Sequence, residues 1–78
     1  MPEFFKKYLT SMQKLEECYF YVMNIGKYSI HIQEDKENEF HFFSIWKNGD
    51  TIKTGWSEEI ENIYKEIDLF LKRNNEKV

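Results

Sequence analysis

The chain is predicted to adopt an α+β fold: a two-layer α-β-β-β-α arrangement, with an antiparallel three-stranded meander and two helices packed on one face. Three observations carry this. Apolar residues from Phe4 to Tyr19 recur at three- and four-residue steps, Asn48-Gly49 separates two alternating segments, and a second 3.6-period stripe runs from Ile60 to Leu71.

The first helix is expected to run to about residue 17, its inner face made by Phe4/Phe5, Tyr8/Leu9, Met12 and Leu15. Pro2 suits its start, where an amide proton would have no partner. Val22 and Met23 continue the period as far as Gly26, yet Tyr19-Phe20-Tyr21-Val22 is aromatic and β-branched, so residues 18–25 read as either helix or strand. In the next segment Tyr28, Ile30 and Ile32 alternate with polar residues, the pattern of a half-buried strand. A polar loop, Gln33 to Glu39, leads to a strand from about Phe40 to Lys47.

Asn48-Gly49 supplies the two positive φ angles of a type I′ turn. A regular ladder from that turn sets Lys47 opposite Asp50, Trp46 opposite Thr51, Ile45 opposite Ile52 and Phe43 opposite Thr54. Ser57 is the expected N-cap of the last helix, with Glu58 and Glu59 at the positive end of its dipole. Ile60, Ile63, Tyr64, Ile67, Phe70 and Leu71 form its buried stripe. Glu61–Lys65 and Asp68–Lys72 are i,i+4 pairs, and Asn74 to Val78 are expected to fray.

Seventy-eight residues make a single small domain, 1–78, and 18% aromatic residues let so short a chain bury more area per residue. No apolar run approaches the ~20 residues that span a bilayer, and the N-terminus lacks the pattern of a secretory signal. Cys18 is the only cysteine, which points to a reducing compartment and to a small buried hydrophobe. A cytoplasmic location is expected, the host bacterial cytoplasm for a phage-encoded chain. The net charge of −3 is unevenly distributed: residues 34–68 hold ten acids against four lysines. That block repels phosphate and attracts basic surfaces.

With helices over the Phe43, Ile45 and Ile52 side of the sheet, Phe40, Phe42 and Trp46 face the other way, beside His31. The alternative register of the first two strands inverts the assignment. A β-bulge within Phe40-His41-Phe42-Phe43, or the N-terminal segment folding over the second face, accounts for the same residues without an interface. Left open, the aromatic trio is a contact surface.

No chemistry of catalysis stands out. Gly26, Gly49 and Gly55 are scattered over separate turns, so no phosphate loop exists. His31 and His41 lack zinc-site spacing and read as two surface histidines. Glu58, Glu59 and Glu61 read as dipole partners, without a base or nucleophile beside them. The chain is expected not to be an enzyme and to need no cofactor or metal.

The order of helix, meander, Gly-containing turn and final helix is similar to the double-stranded-RNA-binding domain, from Phe40-His41-Phe42 through Ser57 into the last helix. That family presents lysines where this chain has Glu58, Glu59 and Glu61, so the likeness carries topology but not RNA binding. The Asn48-Gly49-Asp50 hairpin, the acidic helix start after Ser57 and the Lys/Asn/Ile-rich composition resemble small phage-encoded anti-CRISPR proteins. That resemblance implies carboxylates imitating DNA phosphates and engaging arginines and lysines of an RNA-guided nuclease.

The expected function is therefore a small acidic inhibitor that occupies the nucleic-acid site of a nuclease or another nucleic-acid-handling enzyme. Its partner-binding acids are Glu34, Asp35, Glu37, Glu39, Asp50, Glu58, Glu59 and Glu61. The partner is a protein such as a CRISPR effector nuclease; direct nucleic-acid and membrane contacts are not expected. The alternative is an interaction or assembly module that uses Phe40, Phe42 and Trp46, including a homodimer through the open sheet face.

Overall fold

The computed structural model describes residues 1–78. Five strands pair in sequence order as an antiparallel meander: β1 (Leu9–Leu15), β2 (Cys18–Ile25), β3 (Tyr28–Asp35), β4 (Phe40–Lys47) and β5 (Asp50–Ser57). A four-residue helix, α1 (Glu3–Lys6), precedes the sheet, and a long one, α2 (Ile60–Arg73), follows it. Both helices sit on one face, where the Phe5 and Tyr64 rings lie 6.0 Å apart. The fold is α+β, an antiparallel meander with its helices on one side, as the sequence suggests.

The strand count is five, not three. Residues 9–15, expected in the first helix, instead form β1, and residues 18–25 form β2. The helical spacing of Tyr8, Met12 and Leu15 competes here with strand pairing, and every residue from Thr10 to Leu15 is exposed. Pairing with the aromatic, β-branched β2 decides between them, because it satisfies a whole edge of backbone groups that a helix would leave open. The β1–β2 turn carries no glycine; Glu16 itself adopts φ 53°. The usual hairpin signature is therefore missing.

At the second hairpin Asn48 and Gly49 take φ 53° and 81°, as a type I′ turn requires. Lys47–Asp50 and Trp46–Thr51 pair as expected, but the register then shifts. Ile45 faces Lys53 and Phe43 faces Gly55, so Ile52 is an inserted bulge residue and stays exposed. Gly55 fits because the Phe43 ring packs directly over its backbone, where a methyl group has no room.

The core lies between the sheet and the helices. Met23, Ile25, Tyr28, Ile30, Ile32, Phe43 and Ile45 line the sheet side; Phe5, Ile63, Tyr64, Ile67 and Leu71 close it from above. The helix begins at Ile60 with Glu59 as N-cap, not at Ser57, which still belongs to β5. The Ser57 hydroxyl instead accepts the Glu59 amide and the Asn62 side-chain amide, each at 3.1 Å. At the other end Asn75 takes φ 60°, and the amides of Asn75 and Glu76 donate to Lys72 and Leu71 carbonyls at 3.2 and 2.9 Å. This Schellman closure ties down the tail that was expected to fray and lays Val78 against the core. Asp68–Lys72 forms its ion pair at 2.8 Å, whereas Glu61 and Lys65 form none.

Candidate functional site

The meander sorts charge between its two ends. The β1–β2 turn, the β3–β4 loop and the segment entering α2 all lie at one end of the sheet. They bring together Glu16, Glu17, Asp35, Glu37, Glu39, Glu58, Glu59 and Glu61. The opposite end gathers Lys27, Lys47, Lys72 and Arg73, together with Asp50 and Glu76. None of the loop and turn glutamates at the acidic end joins an ion pair; the cations beside them are Lys14 and Lys36, whose ammonium groups both lie over the Tyr19 ring. Asp35 anchors the β3–β4 loop: its carboxylate accepts the Asn38 amide at 3.1 Å and the Asn38 side chain at 2.9 Å. Those Asn38 bonds, the side-chain one foremost, hold the Asp35 carboxyl below its ordinary value.

Two of the expected acids are not part of this surface. Asp50 sits at the hairpin tip on the opposite end, because successive turns of an antiparallel meander alternate between its ends. Glu34 points beneath the helices and is 6% exposed. Strand alternation puts it on the core side of β3, where it accepts the Tyr21 hydroxyl at 3.4 Å and pairs with Lys36 at 3.7 Å. Glu16 and Glu17, by contrast, were not expected here; they join the acidic end only because β1 and β2 form a hairpin.

A buried polar cluster surrounds Glu34. His41, its cross-strand partner, is 5% exposed, not a surface histidine, and lies on the opposite sheet face from His31. Its Nδ1 and the Tyr64 hydroxyl are buried without hydrogen-bond partners. Burial first, and the Glu34 charge second, push the Tyr21 hydroxyl up to about 12 and raise Tyr64 as well.

The face away from the helices is the second surface. Phe40, Phe42 and Trp46 all lie on it, and the register adds Phe20, Val22 and Trp56. Trp56 is 62% exposed. It reaches this face only through the Ile52 bulge, since a regular ladder would turn it inward. The Phe40 and Trp56 rings stack at 5.8 Å, and His31 stacks on Trp46 at 5.5 Å. Polar atoms on the face bond one another: Trp46 Nε1 donates to Ser44 Oγ at 2.8 Å, and Ser29 Oγ lies 3.2 Å from His31 Nε2. Between the rings, Phe20, Val22, His31, Gln33, Phe42 and Ser44 line a shallow hollow of about 220 Å³. Cys18 lies half-exposed at the margin of this face, not in the core; burial and the Asp35 charge raise its thiol.

No group of three or more His, Cys, Asp or Glu side chains is placed to hold a metal ion. No helix is long and apolar enough to cross a membrane. No protein-family model, curated protein or solved structure matches the chain.

Proposed function

We propose that this protein is a non-catalytic binding protein whose acidic end engages a basic surface on a protein partner. In its most specific form it is a stoichiometric, anti-CRISPR-like inhibitor that occupies the nucleic-acid site of an RNA-guided nuclease. One observation carries the reading. Three segments distant in sequence converge at one end of the sheet and present unpaired glutamates there, in excess of the two lysines beside them, Lys14 and Lys36. Carboxylates spread over a rigid platform suit arginines and lysines that ordinarily bind phosphates, and they repel the nucleic acid itself. Glu37, Glu39, Glu58, Glu59 and Glu61 are the principal contacts, joined by Glu16, Glu17 and Asp35; Glu34 and Asp50 take no part.

The test is inhibition of target cleavage across a panel of purified RNA-guided nucleases. Inhibition is expected to weaken as salt rises, because charge pairs at a surface are screened over ~8–10 Å at physiological ionic strength. Glu58→Lys with Glu61→Lys is expected to abolish it. Removing acids from the helix start costs only about 0.3–1 kcal/mol per site, so the fold survives. A folded double variant that inhibits fully removes the start of α2 from the interface, and inhibition indifferent to salt removes the charge reading altogether.

A further inference from the structure

The free edge of the sheet, rather than its open face or its acidic end, carries a second interaction. We infer that β1 pairs antiparallel with β1 of a second copy of the chain across a two-fold axis, joining the two sheets into one. This inference does not depend on the inhibitor reading.

The two edges of the sheet differ. β5 is bent by the Ile52 bulge, and the Glu66 carboxylate of α2 lies over its Gly55. Bulges and covering elements keep an edge from pairing with a further strand. β1 has its bulge at the start, at Thr10, and then runs regularly from Ser11 to Leu15. Every side chain of that run is exposed, Met12 at 60% and Leu15 at 51%. Leu15 and Cys18 flank a two-residue turn and so form a hydrogen-bonded pair. By alternation Gln13 and Ser11 also bond to β2, while Met12 and Lys14 turn their N–H and C=O groups outward. No strand, turn or loop of the chain meets those groups. Lys14, the one charged residue of β1, leaves the edge unguarded: its ammonium lies back over the Tyr19 ring of β2, 5.6 Å from the centroid.

A row of outward donors and acceptors takes an extended backbone, and β1 itself is a segment that matches the row. The outward groups fix the register. With the axis at Gln13, Met12 of each copy faces Lys14 of the other and exchanges both N–H···O bonds with it, which satisfies the whole row. With the axis at Met12, Lys14 meets the Thr10 bulge instead; at Lys14, two lysines stand opposite one another. The Gln13 register opposes no like charges: Ser11 faces Leu15, Thr10 faces Glu16, and Gln13 faces itself. That central rung is a non-hydrogen-bonded one, where side chains stand closest. A carboxamide carries both donor and acceptor, so the two Gln13 side chains can bond each other across the axis. An isologous interface needs this kind of self-complementarity, in which each residue and its partner exchange roles. One pair of strands is a narrow contact, so the dimer is weak and reversible.

Sedimentation velocity on the full chain, over a concentration series reaching the millimolar range, tests the proposal together with amide hydrogen exchange followed by NMR. A reversible monomer–dimer equilibrium is expected. The Met12 and Lys14 amides are expected to gain protection as concentration rises, while the Gln13 amide is protected throughout. Met12→Pro removes an outward N–H where an edge strand tolerates proline, and is expected to weaken dimerisation about tenfold or more. Gln13→Lys sets two charges against each other on the axis and is expected to do the same. The Gln13 side chain is exposed, so that variant keeps its fold and remains informative if Met12→Pro does not; circular dichroism checks both. In a Cys18→Ser background, Gln13→Cys is expected to give an intermolecular disulfide on mild oxidation and Met12→Cys is not. A monomer at every concentration overturns the proposal. So does a dimer whose Met12 and Lys14 amides gain no protection, or one indifferent to both Met12→Pro and Gln13→Lys. Cross-linking through Met12→Cys instead of Gln13→Cys overturns the register. Glu58→Lys with Glu61→Lys leaves the dimer intact, which keeps this result separate from the fate of the inhibitor reading.

Discussion

The Tyr21 hydroxyl donates to Glu34 Oε2 at 3.4 Å beneath the helices, placing a carboxylate that strand alternation turns inward against a phenol that burial keeps protonated. Tyr64 reaches into the same cluster from α2 and is raised for the same reasons, burial first and the Glu34 charge next. The folded protein therefore holds both phenols neutral at pH values where the unfolded chain ionises them. With the folded value above the unfolded one, the stabilisation is fully present below about pH 10 and is lost as pH rises from there through about 12. Thermal melts followed by circular dichroism across that range are expected to show the melting temperature falling. Tyr21→Phe is expected to flatten the fall, and an unchanged slope in that variant would exclude Tyr21 as a source.

Gly55 is a packing requirement. The Phe43 ring and the Glu66 carboxylate occupy the space a Cβ would take, and Phe43 is fully buried and unable to yield. Gly55→Ala is expected to destabilise by about 1–3 kcal/mol, the usual cost of overpacking a filled core. Phe43→Leu in the same chain is expected to recover part of that loss. Urea midpoints for the single and double variants measure both effects.

The C-terminal half of this fold was legible in sequence and the N-terminal half was not, for reasons that particular residues make plain. Asn48-Gly49 and the Ile60 to Leu71 stripe are strong local signals, and the hairpin and α2 follow them. β1 has no such signal: its apolar residues fit a helix as well as a strand, and Met12 and Leu15, on the inner face of the expected helix, are exposed in the strand. Only pairing with β2 decides, and pairing is not local. The candidate site divides in the same way. Phe40, Phe42 and Trp46 were placed on the open face by counting from the turn, but Trp56 was not, because the Ile52 bulge reverses parity beyond it. Glu37, Glu39, Glu58 and Glu59 were legible as acids, yet their convergence with Glu16 and Glu17 depends on the number of strands.

Glu16 is where the β1–β2 hairpin is weakest. A glutamate at φ 53° meets steric crowding of about 1–2 kcal/mol that Asn or Gly largely avoids, and it adds charge to an already acidic end. Glu16→Asn is expected to stabilise by about 0.5–1 kcal/mol, which for a domain this size raises the melting temperature by roughly 2–8 °C. Differential scanning calorimetry measures the shift. A lowered melting temperature would mean that Glu16 makes a favourable contact that its backbone strain conceals.

Trp46 and Ile63 separate the two faces of the sheet energetically. Ile63 is fully buried between α2 and the sheet, so Ile63→Ala leaves a cavity and is expected to cost about 2–5 kcal/mol, enough to threaten a small domain. Phe70, from the same expected buried stripe, is only half-buried, packed edge-on against Tyr28 at 5.2 Å, and its replacement by alanine is expected to cost less. Trp46 lies half-buried on the open face, held by its bond to Ser44 and its stack on His31. Neither of those contacts fills the core, and removing the indole opens the surface instead of hollowing the interior. Trp46→Ala is therefore expected to cost well under the ~3–5 kcal/mol of a core tryptophan. Urea denaturation of dilute protein, where any dimer has dissociated, isolates this term. A Trp46→Ala midpoint lowered as far as that of Ile63→Ala would place the indole in the core and remove the central ring from the open face.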